Sequence, residues 1–98
     1  MSFYLDISDS DQEYFRNLPL STRLGRLKLY DGLNTLREIP ESFRSDPTNR
    51  IGPNLFQLDW FFKDGGSVGK LRVIVDDSAA DYGVLKIMYA DLQWVAGP

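Results

Sequence analysis

The sequence predicts a single α+β domain in which an antiparallel sheet carries two helices on one face. Three observations lead to this fold class. Two N-terminal segments have helical periodicity, the last third alternates apolar and polar residues, and a Gly-Gly pair separates two of the alternating runs. One core is typical of a chain of 98 residues, and 43% of these are hydrophobic. The predicted element order is β-α-α-β-β-β over residues 1–98.

The N-terminal part supplies one strand and two helices. Residues 3–8 alternate apolar and polar side chains, which is typical of a short strand. Ser10 followed by Glu13 fits a capping box at the start of the first helix. The second helix is predicted to begin at residues 21–22 and to end before Pro40, with a loop and a helical turn after it. Its apolar stripe is predicted to consist of Leu24, Leu27, Tyr30, Leu33 and Leu36.

Residues 55–77 predict a β-hairpin whose loop is Gly65-Gly66. The first strand has apolar residues at even positions, and the second strand has them at odd positions. Pairing across a two-residue loop brings the two apolar faces together. That coincidence checks the register independently, because a slip of one residue would destroy it. The same register places Asp59 directly opposite Arg72.

The last strand is predicted within residues 82–92, after a loop of about five residues. Matching its apolar alternation to the preceding strand puts Lys86 beside Arg72 and Tyr89 on the core face. The other face then carries the charged row Asp59–Arg72–Lys86. One interpretation of this row is a solvated cross-strand ion pair, and the other is a functional surface; the sequence leaves both open.

The composition excludes several classes of function. The chain has no cysteine, so disulfides, thiolate metal sites and cysteine nucleophiles are excluded. It has no histidine, which removes the usual zinc ligand, the commonest general base and the Ser-His-Asp triad. The net charge of −3 argues against bulk electrostatic binding to nucleic acid, although a local basic patch is compatible with it. No metal and no cofactor are expected.

The sequence also predicts that the protein has no membrane partner. No apolar run approaches the roughly 20 residues that a spanning helix needs. The N-terminus lacks the basic region of a signal peptide and becomes acidic at Asp6. We therefore expect a cytoplasmic protein.

The element order and two long runs resemble the RelE/ParE superfamily of toxins from bacterial type II toxin–antitoxin modules. The runs are "LPLSTRLGRLKLYDGLNTL" and "FFKDGGSVGKLRVIVDDSAADYGVLKIMYAD", and the resemblance covers nearly the whole chain. It depends on the strand pattern and on a basic residue in the penultimate strand rather than on a fixed signature. The resemblance implies a toxin that a cognate antitoxin binds. RelE-like members cut mRNA in the ribosomal A site without a metal, whereas ParE-like members inhibit DNA gyrase.

The same resemblance implies roles for four side chains. Arg72 matches the arginine that contacts the scissile phosphate, and Lys70 lies on the same face by the period of two. Lys86 would stabilise the charge of a pentavalent phosphorane. Tyr89 comes near the end of the last strand, where family members place a reactive residue. The chain departs from the nuclease pattern because Asp59 stands on a strand that carries lysines in many nucleases, and because no basic cluster follows Tyr89.

Other residues are expected to contact a protein partner or RNA. A polar sheet face that also carries aromatic residues and Met often docks a partner. A basic helix face is most simply solvated, and its functional alternative is contact with ribosomal RNA or with an acidic antitoxin segment. These predicted contact residues are Asp59, Phe61, Lys63, Arg23, Arg26, Met88 and Trp94.

The sequence therefore supports three hypotheses about function. The first is a toxin that acts as a ribosome-dependent mRNA endoribonuclease. The second is a non-catalytic protein-binding inhibitor of the same fold, such as a gyrase-type toxin. The third is an unrelated small adaptor, for example a phage-borne inhibitor that masks a partner.

Overall fold

The computed structural model describes residues 2–97 and has the predicted α+β class. Within these residues the chain forms a five-stranded sheet and three α-helices. The elements are β1 (Tyr4–Asp6), α1 (Asp9–Arg16), α2 (Arg23–Arg37), α3 (Glu41–Ser45), β2 (Arg50–Gly52), β3 (Leu55–Asp64), β4 (Ser67–Asp76), a 3₁₀-helix (Ala80–Tyr82) and β5 (Val84–Ala96).

The strands lie in the order β1-β5-β4-β3-β2. β1 runs parallel to β5, and the other neighbouring pairs are antiparallel. Parallel neighbours require a long crossover, and the helices and the hairpin between β1 and β5 provide it. Apolar side chains from α1, α2 and one sheet face form a single core. Its buried members are Phe3, Leu5, Phe15, Leu18, Leu29, Leu33, Leu36, Ile39, Phe56, Leu58, Phe62, Leu71, Val73, Val75, Leu85 and Ile87.

The hairpin of β3 and β4 has the predicted register. Asp59 lies opposite Arg72, and Asp64 lies opposite Ser67 at the turn. Gly65 has φ of 63°, a conformation that glycine adopts without steric cost. The alternation of side chains in these two strands was therefore sufficient to place the Asp59–Arg72 pair.

The predicted register of β5 is wrong. Lys86 lies opposite Asp76, and Asp91 rather than Lys86 lies opposite Arg72. The connection from β4 to β5 consists of residues 77–83, which include the 3₁₀-helix. It is therefore longer than the predicted loop of about five residues. A longer connection moves β5 along β4 without changing which side chains face the core, and apolar alternation does not detect such a shift.

The predicted core position of Tyr89 is also wrong. The register shifts between the pairs Ile74–Tyr89 and Val75–Ile87, so Met88 is the extra residue of a bulge. The extra residue reverses the alternation beyond it. Tyr89 consequently lies on the face away from the helices and is 50% exposed.

Trp94, one of the predicted contact residues, lies on the helix side of the sheet and not on its polar face. Its register partner is Gly69, and its ring centroid lies 6.3 Å from that of the buried Phe62. A Cβ at Gly69 would approach the Phe62 ring to 2.8 Å, so the glycine gives this ring its space. Trp94 therefore belongs to the helix side of the sheet.

The helices begin close to the predicted positions, with two corrections. The N-cap of α1 is Ser8, which accepts from the Asp11 amide, and not the predicted Ser10. In α2, Leu24 and Leu27 are 63% and 54% exposed, although both belong to the predicted stripe. The buried side of α2 consists of Gly25, Leu29, Gly32, Leu33 and Leu36.

The segment after α2 contains the expected helical turn, which is α3. It also contains β2, where the sequence predicted only loop. β2 is short and joins the edge of the sheet through an irregular pairing with β3. Within residues 2–97, no helix has the length and apolar character needed to cross a membrane.

Candidate functional site on the open sheet face

The face of the sheet away from the helices is called the open face. Side chains of β3, β4 and β5 alternate between this face and the core, and every open-face side chain is at least partly exposed. Its members are Leu55, Gln57, Asp59, Phe61, Lys63, Val68, Lys70, Arg72, Ile74, Asp76, Lys86, Tyr89, Asp91 and Gln93, together with the bulge residue Met88 beside Tyr89.

Three of these residues form a central row across the open face, which is Asp59–Arg72–Asp91. Arg72 donates from Nε to Asp59 Oδ1 at 2.9 Å and from Nη2 to Oδ2 at 3.2 Å. The two side chains are 35% and 29% exposed, respectively. The hydrogen bonds between them lower the pKa of Asp59 and raise the pKa of Arg72 from their ordinary values. Both groups are therefore charged at neutral pH.

Asp91 lies on the other side of Arg72 and was not singled out from the sequence. Its carboxylate accepts from Gln93 Nε2 at 3.1 Å. Within the part of the chain that the structure describes, the salt bridges do not include Asp91. The row thus has two carboxylates and one guanidinium, a formal charge of −1. Asp91 follows Tyr89 by two residues and therefore lies on the same face as Tyr89. The sequence would have placed Asp91 on the open face only if the bulge in β5 had been predicted.

The rows beside the central row contain two further predicted site residues. Lys70 lies between Phe61 and Gln93, and Tyr89 lies beside Ile74. Lys70 and Tyr89 each lie one row away from Arg72, on the same face.

The fourth predicted residue is separated from these three. Lys86 lies opposite Asp76, two rows from Arg72, where the two opposite charges attract each other. The structure therefore brings Arg72, Lys70 and Tyr89 together on the open face and does not bring Lys86 beside them.

The predicted contact residues divide between the two sides of the sheet. Phe61 and Met88 are 59% and 49% exposed at the open side, and Lys63 is exposed near the hairpin turn. Arg23 is exposed at the start of α2, on the helix side.

Arg26 also lies on the helix side, and its guanidinium already has partners. It donates to the carbonyls of Phe15 and Leu18, at 3.0 and 2.7 Å. Arg26 therefore ties α2 to the end of α1.

Two hydrogen-bonded clusters that sequence reasoning missed lie away from the open face, and each is centred on one aspartate. The buried Asp64 accepts four hydrogen bonds at the start of α2. Asp77 accepts from Arg50 through both carboxylate oxygens and lies 3.5 Å from Arg44. A cleft of about 310 Å³ opens beside this second cluster. The positive charge of the two arginines is largely balanced by Asp77 and by Glu41 at the cleft, so we assign the cluster to holding α3 and β2 against the end of β4.

Comparison with known proteins identifies the fold. No protein-family model matches the chain, and no curated protein matches it in sequence. A solved structure of the E. coli toxin RelE is similar to it, in a variant with two arginines replaced by alanine and in the free state. The TM-score is 0.58, and the similarity covers 92% of this chain and 82% of that chain. This chain has a RelE-like fold.

The sequence identity to that toxin is 16%, so the similarity concerns the fold alone. The RelE-like fold confirms the predicted resemblance at the level of architecture. The fold alone does not determine the activity, which depends on the side chains of the open face.

Proposed function

We propose that this protein is the toxin component of a type II toxin–antitoxin module, acts in the cytoplasm and is bound by a cognate antitoxin. The observation that supports the proposal is the RelE-like fold, which extends over 92% of the chain. Because 16% identity transfers no activity, the mode of action depends on the chemistry of the open face.

The central row favours a toxin that binds a protein target without cutting RNA. A phosphate backbone would meet the carboxylates of Asp59 and Asp91 on either side of Arg72. The exposed rings of Phe61 and Tyr89 suit a protein contact, because aromatic side chains are enriched in protein interfaces. DNA gyrase, the target that the resemblance to ParE-like toxins implies, is the first target to test.

The second candidate function is ribosome-dependent cleavage of mRNA without a metal. It is favoured by the positions of Arg72, Lys70 and Tyr89 on one face. The guanidinium would bind the scissile phosphate, the ammonium would stabilise the developing charge, and the phenol would transfer a proton. This mode requires Arg72 to exchange Asp59 for a phosphate.

The test is growth of a bacterial host after induced expression of the wild type, Arg72→Ala and Arg16→Ala. Arg16 is a matched control, since it is an exposed arginine paired with Glu13 on α1, away from the open face. We expect the wild type and Arg16→Ala to arrest growth, and Arg72→Ala to lose the effect at an equal soluble level. Coexpression of the protein encoded by an adjacent short reading frame should restore growth.

The same cultures distinguish the two modes. Growth arrest with unchanged mRNA 5′ ends and inhibited supercoiling by gyrase supports the protein-binding toxin. Growth arrest with new codon-phased 5′ ends supports the nuclease instead. Normal growth despite abundant folded protein contradicts the toxin proposal and favours a small adaptor that shares the fold.

A further inference from the structure

The geometry of the Asp59–Arg72 pair is that of an arginine with an anion already bound. Arg72 Nε and Nη2 each donate to a different oxygen of Asp59, at 2.9 and 3.2 Å. A guanidinium can bind a phosphate through the same two parallel donors. A phosphate and the Asp59 carboxylate therefore compete for the same edge of Arg72.

The fold places Asp59 against Arg72 before any ligand arrives. The two residues are direct partners in the register of β3 and β4, and the apolar side chains on the core face of the two strands hold that register. The pair is also about two thirds buried, so solvent and salt screen it less than a fully exposed pair.

The surroundings of the pair disfavour a second anion. Asp91 approaches Arg72 from the next strand, which leaves the central row with a formal charge of −1. The positive charge of Lys70 would favour an anion, but Lys70 lies one row away and its charge already attracts Asp59. An incoming phosphate would have to displace one carboxylate while remaining beside another.

From this arrangement we infer that Asp59 sets the ligand specificity of the open face. It occupies the Nε–Nη2 edge of the Arg72 guanidinium and adds negative charge beside it, and so makes the face reject the phosphate backbone of single-stranded RNA. Removing this one carboxylate opens an anion-binding position at Arg72. The inference concerns binding alone and does not depend on the toxin proposal.

The experiment measures fluorescence anisotropy of a fluorescein-labelled single-stranded oligouridylate with purified protein at low salt. The variants are Asp59→Asn, Asp6→Asn and the double variant Asp59→Asn/Arg72→Ala. Asp6 is the matched control, because it is exposed at the β1 edge of the same sheet side, opposite Lys86. Asp59→Asn and Asp6→Asn change the net charge equally, so a difference between them reports on position.

We expect Asp59→Asn to bind the RNA about tenfold more tightly than the wild type, the scale of one charge-assisted hydrogen bond. Asp6→Asn should change the affinity only slightly, and the double variant should return to the wild-type value. The inference is wrong if the wild type already binds as tightly as Asp59→Asn, if Asp6→Asn produces the same gain, or if the double variant retains it.

Circular dichroism and thermal unfolding establish that each variant is folded. Should Asp59→Asn not fold, Asp59→Ser removes the carboxylate with a smaller side chain and is judged by the same three criteria. If a folded Asp59→Asn or Asp59→Ser variant binds the RNA no more tightly than Asp6→Asn does, the inference is wrong.

Discussion

At the scale of single residues, one aspartate organises the junction between the hairpin and α2. Asp64 is 1% exposed. It accepts from the amides and hydroxyls of Ser21 and Thr22 at 2.6–3.0 Å. Thr22 in turn caps α2 by accepting from the Gly25 amide at 2.9 Å. The carboxylate thus satisfies donors at the positive end of the helix, where a negative charge is favourable.

Replacement of Asp64 should be severely destabilising. In Asp64→Asn the hydrogens of the side-chain amide would face the donors of Ser21 and Thr22, and the negative charge would be lost. We therefore expect the free energy of unfolding to fall by about 2–4 kcal/mol. Urea denaturation of this variant and of Asp81→Asn, an exposed control, measures the effect. A loss no larger than that of the control would show that Asp64 contributes little.

The same carboxylate gives the stability a defined dependence on pH. Burial by itself raises the pKa of Asp64, but the hydrogen bonds from Ser21 and Thr22 outweigh it and leave the pKa below its ordinary value. A depressed pKa in the folded state adds stability above the unfolded value of about 3.9 and loses it as the pH falls through the folded value. The difference in stability between wild type and Asp64→Asn should therefore shrink below about pH 4.

At the scale of elements, the close approach of α2 to β3 depends on two glycines. A Cβ at Gly25 would lie 2.2 Å from Asp64 Oδ1, and a Cβ at Gly32 would lie 2.6 Å from the Trp60 ring. Trp60 also donates from Nε1 to the Lys28 carbonyl at 2.8 Å, which ties the strand to the helix. The absence of a side chain at both glycines therefore allows the helix to pack closely against the hairpin.

Gly32→Ala tests this contact against helix propensity. Alanine favours a helix by about 1 kcal/mol over glycine, so the substitution would raise the free energy of unfolding if the space beside Gly32 were unimportant. We expect instead that overlap with the Trp60 ring lowers the free energy of unfolding by about 1–3 kcal/mol. Asn34→Ala, at an exposed position of α2, should be neutral or stabilising in the same denaturation assay.

The elements differ in how far the sequence determined them. The β3–β4 hairpin was predicted to the residue, because a two-residue loop and two alternating strands leave one register in which the apolar faces coincide. The stripe of α2 was misassigned at Leu24 and Leu27, because the glycines that face the sheet carry no hydrophobic signal. The register of β5 was missed because it depends on a bulge and on a folded connection.

At the scale of the whole molecule, the N-terminal strand is joined both to β5 and to the end of α2. β1 pairs with the start of β5, and the Phe3 amide donates to the Arg37 carbonyl at 2.7 Å. Farther along β5, the hydroxyl of Tyr14 on α1 accepts from the Leu92 amide at 2.7 Å. β1 covers only residues 84–86 of β5, so the tyrosine satisfies a backbone donor at the uncovered edge.

Tyr14→Phe should loosen this connection without disturbing the core. Loss of the hydroxyl leaves the Leu92 amide without this partner, and we expect a cost of about 1 kcal/mol together with faster hydrogen exchange at that amide. Tyr82→Phe is the control, because Tyr82 is 87% exposed. Equal exchange of the Leu92 amide in both variants would contradict a role for Tyr14 at this edge.

The sequence by itself determined the α+β class, the order of the main elements and the opposition of Asp59 to Arg72. These depend on local periodicity and on one short turn, which neighbouring residues specify. The tertiary structure decided that Asp91 completes the central row, that Tyr89 faces outward and that Lys86 lies elsewhere. Strand-to-strand register across an irregular connection is set by packing among residues far apart in the chain, and a single bulge reverses which side chains reach the open face.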